Sequence, residues 1–218
     1  MTGGPILAID TSSNTASVAV YADQVLAETT WHSGRRHSAE LLPAINETLS
    51  RAHVEKRTLA ALAVAIGPGS YSGLRVGVST AMAMGLALSL PLVQVPTLDI
   101  IAWGQGRPVR TAVDVGRGHY ATARFRCVDG HVEPETRIES VGLSQLVELA
   151  ATERSLLAVD LDPETRDATQ HQHGARIELA SPAASARRAG FLAELAAIKI
   201  QRGELVGDLV VEPIYLHS

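Results

Sequence analysis

Aromatic residues are scarce in this chain. Phe, Trp and Tyr together make up 4% of 218 residues, so any core must be built from Ala, Val, Leu and Ile. Cys127 is the single cysteine, which excludes a disulfide scaffold and a cysteine-built metal site. Its setting, ARFRCVDG, alternates like a strand and makes it a half-buried packing residue rather than a nucleophile. Lysine is nearly absent, with Lys56 and Lys199 standing among arginines. The 19 basic residues are outnumbered by 23 acidic ones, for a net charge of -4, so the basic excess of a dedicated nucleic-acid binder is missing. A long apolar run is missing too: residues 77–95 are Ala- and Gly-rich but carry Ser79, Thr80 and Ser89 and are interrupted by Pro91. The N-terminal MTGGPILAIDTSSN has no basic segment and turns polar by Asp10, unlike a signal peptide. The expectation is a cytoplasmic protein that does not engage membranes. What is present, 46% hydrophobic and 19% charged residues, suffices for one large domain or two small ones.

The first thirty residues read as three strands, PILAID, ASVAVY and VLAETTW, joined by the polar turns TSSNT and ADQ. A helix is predicted from about residues 38–40 to 53, its start set by Pro43, which tolerates only the first turn. LAALAVAI is a buried strand and GPGSYSG a turn. Residues 74–90 form a helix, LVQV a strand, and TLDIIAWG a short helix with Thr97 as N-cap. A second series follows: strands VRTAVDVG and HYATARFRCV and a third at residues 136–141, a helix at 143–152, strand LLAVDL, a helix at 163–171, strand ARIELA and a long helix at 183–202. The tail, VGDLVVEPIYLHS, contains Pro213 and suits an edge or surface-lying segment. Three antiparallel strands followed by alternating helices and strands, twice over, define an α/β class with two mixed sheets covered by helices. This order resembles the duplicated ribonuclease-H-like fold of actin, Hsp70 and sugar kinases. Residues 1–105 would form one half and 106–218 the other, with a cleft between them as the default ligand site.

Asp10, Thr11, Ser12 and Ser13 end the first strand. Hydroxyls and backbone N–H groups there suit a phosphate, and a carboxylate suits its metal ion; the other reading is an Asx turn that caps its own hairpin. GPGSYSGLR is the densest motif. Gly67 and Gly69 allow close backbone approach, Ser70 or Ser72 can cap the following helix, and Gly73 and Arg75 complete it. No Gly-Lys-Ser/Thr follows, Ser72 replaces the third glycine of G-x-G-x-x-G, and Tyr71 replaces the serine of a nucleophile elbow. The alternative is a rigid strand-to-helix connection. Gly73, Gly77, Ala81 and Gly85 form a small-residue stripe that admits a second helix or a sheet. The eight histidines show no H-E-x-x-H spacing, and Asp114, Arg117 and His119 surround a hairpin tip. Arg35, Arg36, Arg187 and Arg188 form two short basic pairs, fewer charges than the phosphate contacts of nucleic-acid binding usually need.

ILAIDTSS, HSAELLP, GPGSYSGLR, DVGRGHY and the ending EPIYLHS together resemble the bacterial TsaB (YeaZ) family, with matching order and spacing through the N-terminal half. The resemblance implies a non-catalytic subunit with no catalytic residue, no metal and no cofactor. It would act with a TsaD-like subunit and a TsaE-like ATPase when threonylcarbamoyl is transferred to N6 of the adenosine next to the tRNA anticodon. Contact with tRNA would be only indirect, through the complex. Family members also form homodimers through N-terminal helices, which places Ser38, Leu41, Leu42, Ile45, Leu49, Leu74, Val78 and Met82 at a partner interface. TsaD-like subunits carry V-N-H-x-x-G-H, whose two histidines hold a metal; here Thr97 and Ile101 occupy those places, and neither replaces an imidazole. The alternative is an ATP-binding or ATP-hydrolysing enzyme of the same fold, motivated by Asp10 and the glycine turns. A protease is the weakest reading.

Overall fold

A computed structural model describes residues 4–34, 36–128, 131–204 and 214. Strand β1 (Ile6–Asp10) is ILAID, apolar until its last residue and buried throughout, as a central strand requires. β2 (Thr15–Tyr21) runs back along it in register, Ile6 opposite Tyr21, and β3 (Val25–His32) pairs antiparallel with β2. β4 (Ala61–Ala65) and β5 (Leu92–Val95) add in parallel on the other side, giving the order β3-β2-β1-β4-β5. Helix α1 (His37–Arg51) precedes β4, α2 (Tyr71–Leu88) links β4 to β5, and α3 (Thr97–Trp103) follows β5. Helix α1 begins one residue before the expected range, and its Pro43 and Ala39 are both exposed. The carbonyl that Pro43 leaves without an N–H partner belongs to Ala39, on the watered side of the helix.

Period-2 alternation sorts the central strands between two cores. Leu7, Ile9, Val18, Val20, Leu62 and Val64 pack under α1 and α2 with Leu41, Ile45, Leu49, Val78 and Ala81. Ile6, Ala8, Ala19, Ala61, Ala63 and Ala65 face the opposite way, with Val93 and Val95. That second face is covered by Leu192, Ala193, Ala196 and Ala197 of α7 (Ala189–Gln201), from near the other end of the chain.

The second sheet is made of β6 (Val109–Gly116), β7 (His119–Val128), β8 (His131–Pro134), β9 (Glu139–Gly142), β10 (Leu156–Val159) and β11 (Glu178–Leu179). Helices α4 (Leu143–Glu153) and α5 (Pro163–His173) flank β10, and α6 (Pro182–Ser185) follows β11. Read from one edge, the order β8-β7-β6-β10-β11 repeats that of the first sheet strand for strand. The third strand of the repeat lies at His131–Pro134, ahead of the predicted 136–141. The predicted segment instead contributes to β9, an additional antiparallel partner of β7. The long helix predicted at 183–202 is two helices, α6 and α7, separated by extended backbone at Ala186 and Arg188.

The chain divides into two compact units. Residues up to Ile100 join with the segment beginning at Arg187, and residues from Ile101 to Ala186 form the other. The expected halves, 1–105 and 106–218, therefore need correction at the C-terminal end. The alanine-lined face of α7 fits the alanine-rich underside of the first sheet, so burial returns this helix to the N-terminal unit. Among the described residues no helix is long and apolar enough to cross a membrane. Apart from Ile214, the tail expected to be extended lies outside the described residues.

Candidate functional site

The two family motifs meet. Asp10, Thr11 and Ser12 end β1, and the loop at residues 67–70 ends β4, the parallel neighbour of β1, so both turns lie at the carboxyl end of one sheet. Asp10 Oδ1 accepts from the Ser12 backbone N–H at 2.9 Å and from the Ser12 hydroxyl at 2.6 Å, which is the Asx turn. The Ser12 carbonyl then accepts from Ser70 N–H at 2.8 Å, and Thr11 Oγ1 donates to the Gly73 carbonyl at 2.8 Å. Ser70 is the N-cap of α2, its hydroxyl accepting from Gly73 N–H at 3.3 Å.

Glycine is required here by proximity. A Cβ on Gly69 would overlap the Ser12 carbonyl, one on Gly73 the Thr11 carbonyl, and one on Gly77 the Thr11 hydroxyl. Gly67 has φ +99°, a conformation that side chains disfavour, and lies beside Leu74 and the backbone of Ile214, whose N–H donates to the Ile66 carbonyl at 2.8 Å. The small-residue stripe of α2 thus beds on the β1–β2 turn and sheet of its own unit. In GPGSYSGLR, the Ser70 and Gly73 N–H groups, two natural donors to an anion, are used within the fold. Asp10, Thr11 and Ser12 are buried.

Two buried oxygens, Asp10 Oδ2 and Thr97 Oγ1, have no hydrogen-bond partner among the described residues. Thr97 N–H donates to the Gly67 carbonyl, so both lie at the strand ends of the first unit. Among the described residues no group of three or more His, Cys, Asp or Glu side chains is placed to hold a metal ion. Thr97 and Ile101 are both buried.

The partner-interface residues divide sharply. Leu41, Ile45, Leu49, Leu74 and Val78 are at most 4% exposed, inside the first unit, so they are core residues and unavailable to a second protein. Leu42 is 54% exposed, Ser38 is exposed and Met82 half-buried. Sequence reasoning missed Tyr71 (59%) and Leu86 (73%), large exposed residues at the two ends of α2. The exposed Arg75 lies over the Tyr71 ring, 5.5 Å from its centroid. A count of positions from the buried stripe would have separated Leu42 from the rest, since it sits one residue, 100° of helix, beyond Leu41.

The basic pairs are not a common surface. Arg187 is 1% exposed, Arg188 is bound to Glu28 and Arg36 to Glu40, while Arg35 lies outside the described residues. Asp114 Oδ1 accepts from Gly116 N–H at 2.6 Å at the tip of the β6–β7 hairpin, where Arg117 and His119 are exposed. His37, a buried histidine, bonds the Ser13 carbonyl at 2.9 Å and so ties the start of α1 to the same β1–β2 turn.

Two mixed sheets of one strand order, each flanked by helices, make this an α/β protein of the duplicated ribonuclease-H-like fold. The model of a family described as TsaD, tRNA N6-adenosine threonylcarbamoyltransferase, matches residues 24–159. The TsaB protein of Bacillus subtilis, a tRNA threonylcarbamoyladenosine biosynthesis protein, is 32% identical over 149 residues, 66% of this chain and 65% of that one. Its Escherichia coli counterpart is 32% identical over 126 residues, 56% of this chain and 54% of that one. The crystallised YeaZ of Pseudomonas aeruginosa superimposes with a TM-score of 0.75 at 22% identity, covering 98% of this chain and 100% of that one. The chain belongs to this family, on its TsaB/YeaZ branch. It spans about half to two thirds of the length of the curated relatives cited.

Proposed function

We propose that this chain is a non-catalytic subunit in the formation of N6-threonylcarbamoyladenosine in tRNA, working in the cytoplasm. The transfer chemistry belongs to a TsaD-like partner, and a TsaE-like ATPase joins the assembly. The observation that carries this reading is the use of both motif turns for packing. The Ser70 N–H and the hydroxyl of Thr11 are spent on the other turn's backbone, the Gly73 N–H is spent on the Ser70 hydroxyl, and threonine and isoleucine stand where imidazole ligands would be needed. A partner would read the outer surfaces of α1 and α2, where Leu42, Tyr71 and Leu86 are exposed, and two copies of the chain would use the same surfaces to form a homodimer. Contact with tRNA is indirect, through the partner.

The test is reconstitution. Tagged chain should capture the TsaD-like protein of its host, and modification of tRNA should require both proteins together with the ATPase. Modification at full rate without this chain would overturn the proposal. The nucleotide-handling alternative rests on Asp10, whose Oδ1 is already occupied by Ser12; calorimetric titration with ATP and Mg²⁺ is expected to give no binding heat.

A further inference from the structure

Among the described residues, three helices carry N-terminal side-chain caps of their own, and α1 and α4 carry none. Ser70 caps α2, Asp162 caps α5 through Thr165 N–H, and Ser181 caps α6 through Ala184 N–H. Helix α7 does not. Its N-cap residue, Arg188, makes no side-chain cap, and the following residues, Ala189 and Gly190, cannot supply one. Their N–H groups are satisfied from strands more than 150 residues earlier. Ala189 N–H donates to Ser17 Oγ at 3.0 Å, and Gly190 N–H donates to Glu28 Oε1 at 3.1 Å. Glu28 also receives Arg188 Nε at 3.0 Å and Nη2 at 2.9 Å, while its side chain is only 13% exposed. Ser17 and Thr30 hydroxyls lie 2.8 Å apart, and Thr30 Oγ1 donates to the Arg187 carbonyl at 3.4 Å.

We propose that Glu28 and Ser17 form a latch in which docking and capping of α7 are one event. When α7 lies on the first sheet, its first turn is capped and its positive end meets a carboxylate. When it leaves, both contributions vanish together and the first turn frays, since nothing local replaces them. The other holding force is the burial of Ala189, Leu192, Ala193, Ala196 and Ala197, with Phe191, Leu195 and Ile200 of the same helix packed half-buried beside them. The latch adds its hydrogen bonds and its carboxylate to that apolar burial. The state without α7 uncovers the face lined by Ile6, Ala8, Ala63 and Val95, an apolar surface otherwise sealed. The latch therefore controls whether that face is hidden.

Backbone hydrogen exchange on the full-length chain, read by mass spectrometry, tests this. Glu28→Ala should speed exchange through α7 about tenfold, the scale of a lost cap, while β1, β4 and α4 keep wild-type rates. Glu28→Gln, which retains an acceptor for Gly190 N–H, should fall between the two. Arg188→Ala removes the ion pair but leaves both caps, so its α7 rates should stay close to wild type. Unchanged α7 exchange in Glu28→Ala would overturn the latch. So would an equal rise in α1 and α4, which marks general destabilisation, or an Arg188→Ala effect as large as that of Glu28→Ala.

Discussion

Thr11 and Gly77 occupy the same space: the threonine hydroxyl stands where a side chain on residue 77 would begin, and it is held there by its 2.8 Å bond to the Gly73 carbonyl. Helix α2 can lie this close to the β1–β2 turn only with glycine at both positions. The contact explains why a loop with the composition of a phosphate cradle is a packing joint in this protein.

Gly77→Ala is expected to lower stability by about 1–3 kcal/mol despite the higher helix propensity of alanine, because the Cβ forces strand and helix apart. In a Thr11→Ala background the obstructing hydroxyl is gone, and the same change should cost less than about 1 kcal/mol. Denaturant unfolding of the four proteins of this cycle measures the coupling, and strictly additive costs would contradict it.

Leu41 and Leu42 are neighbours with opposite surroundings, 1% and 54% exposed. Leu42→Glu should leave thermal unfolding unchanged within a degree or two while weakening self-association or partner binding about tenfold or more. Leu41→Glu should unfold the unit, because it buries a charge among Ile45, Val18 and Val64. Sedimentation velocity and calorimetry separate the two outcomes.

Arg110, 1% exposed within β6, donates Nε to Glu153 Oε2 at 2.8 Å and Nη2 to Glu153 Oε1 at 2.5 Å, with Glu139 and Thr122 around Nη1. Arg110→Ala should cost about 3–5 kcal/mol, since it strands the Glu153 carboxylate, whereas a paired replacement by Met at both positions should recover much of the loss. Burial raises the pKa of Glu153, but the hydrogen bond and charge of Arg110, with Arg124 and Ser155, outweigh it and hold the pKa below the usual glutamate value. A lowered carboxylate contributes stability that is present above its unfolded pKa and lost as pH falls through its folded one. Acid unfolding of the second unit should therefore shift to higher pH, or lose this step, when Arg110 is replaced.

Asp99 shows the opposite sign. Burial pushes its pKa up to about 6, opposed by the charge of Lys199. The folded state then holds the proton more tightly than the unfolded chain, so stability from this group is full below the unfolded value near 3.8 and declines as pH rises through about 6. Asp99→Asn should flatten the stability profile across that window and raise stability at pH 8 by about 2 kcal/mol. Urea unfolding at pH 4, 6 and 8 decides it, and an unchanged slope would refute the assignment.

Much of the fold was legible in the residues. The apolar runs of β1 and β2 and the turn signals at 11–15 and 67–70 place β1 to β5 and α1 to α3 nearly in register with the structure. The family motifs were equally plain, because GPGSYSGLR needs its glycines for local reasons of approach and backbone conformation. The second unit was read less well. The polar segment around β8 and β9 has weak alternation, and pairing with β7, not propensity, makes it strand. The break between α6 and α7 was hidden because Ala186 and Ala189 are good helix formers, and Arg187 and Arg188 do not oppose a helix. What interrupts it is the latch on Ser17 and Glu28.

The sequence alone determined the α/β class, the duplicated order of elements, the motif turns and the family, because these follow from periodicity and from local spacing along the chain. Tertiary structure decided the rest. An apolar stripe on α1 is as compatible with a partner as with the chain's own sheet, and only packing shows that Leu41, Ile45 and Leu49 face inward while Leu42 does not. Glu28, Arg110 and α7 are decided the same way: their partners lie tens to more than a hundred residues distant, where no local pattern records the encounter.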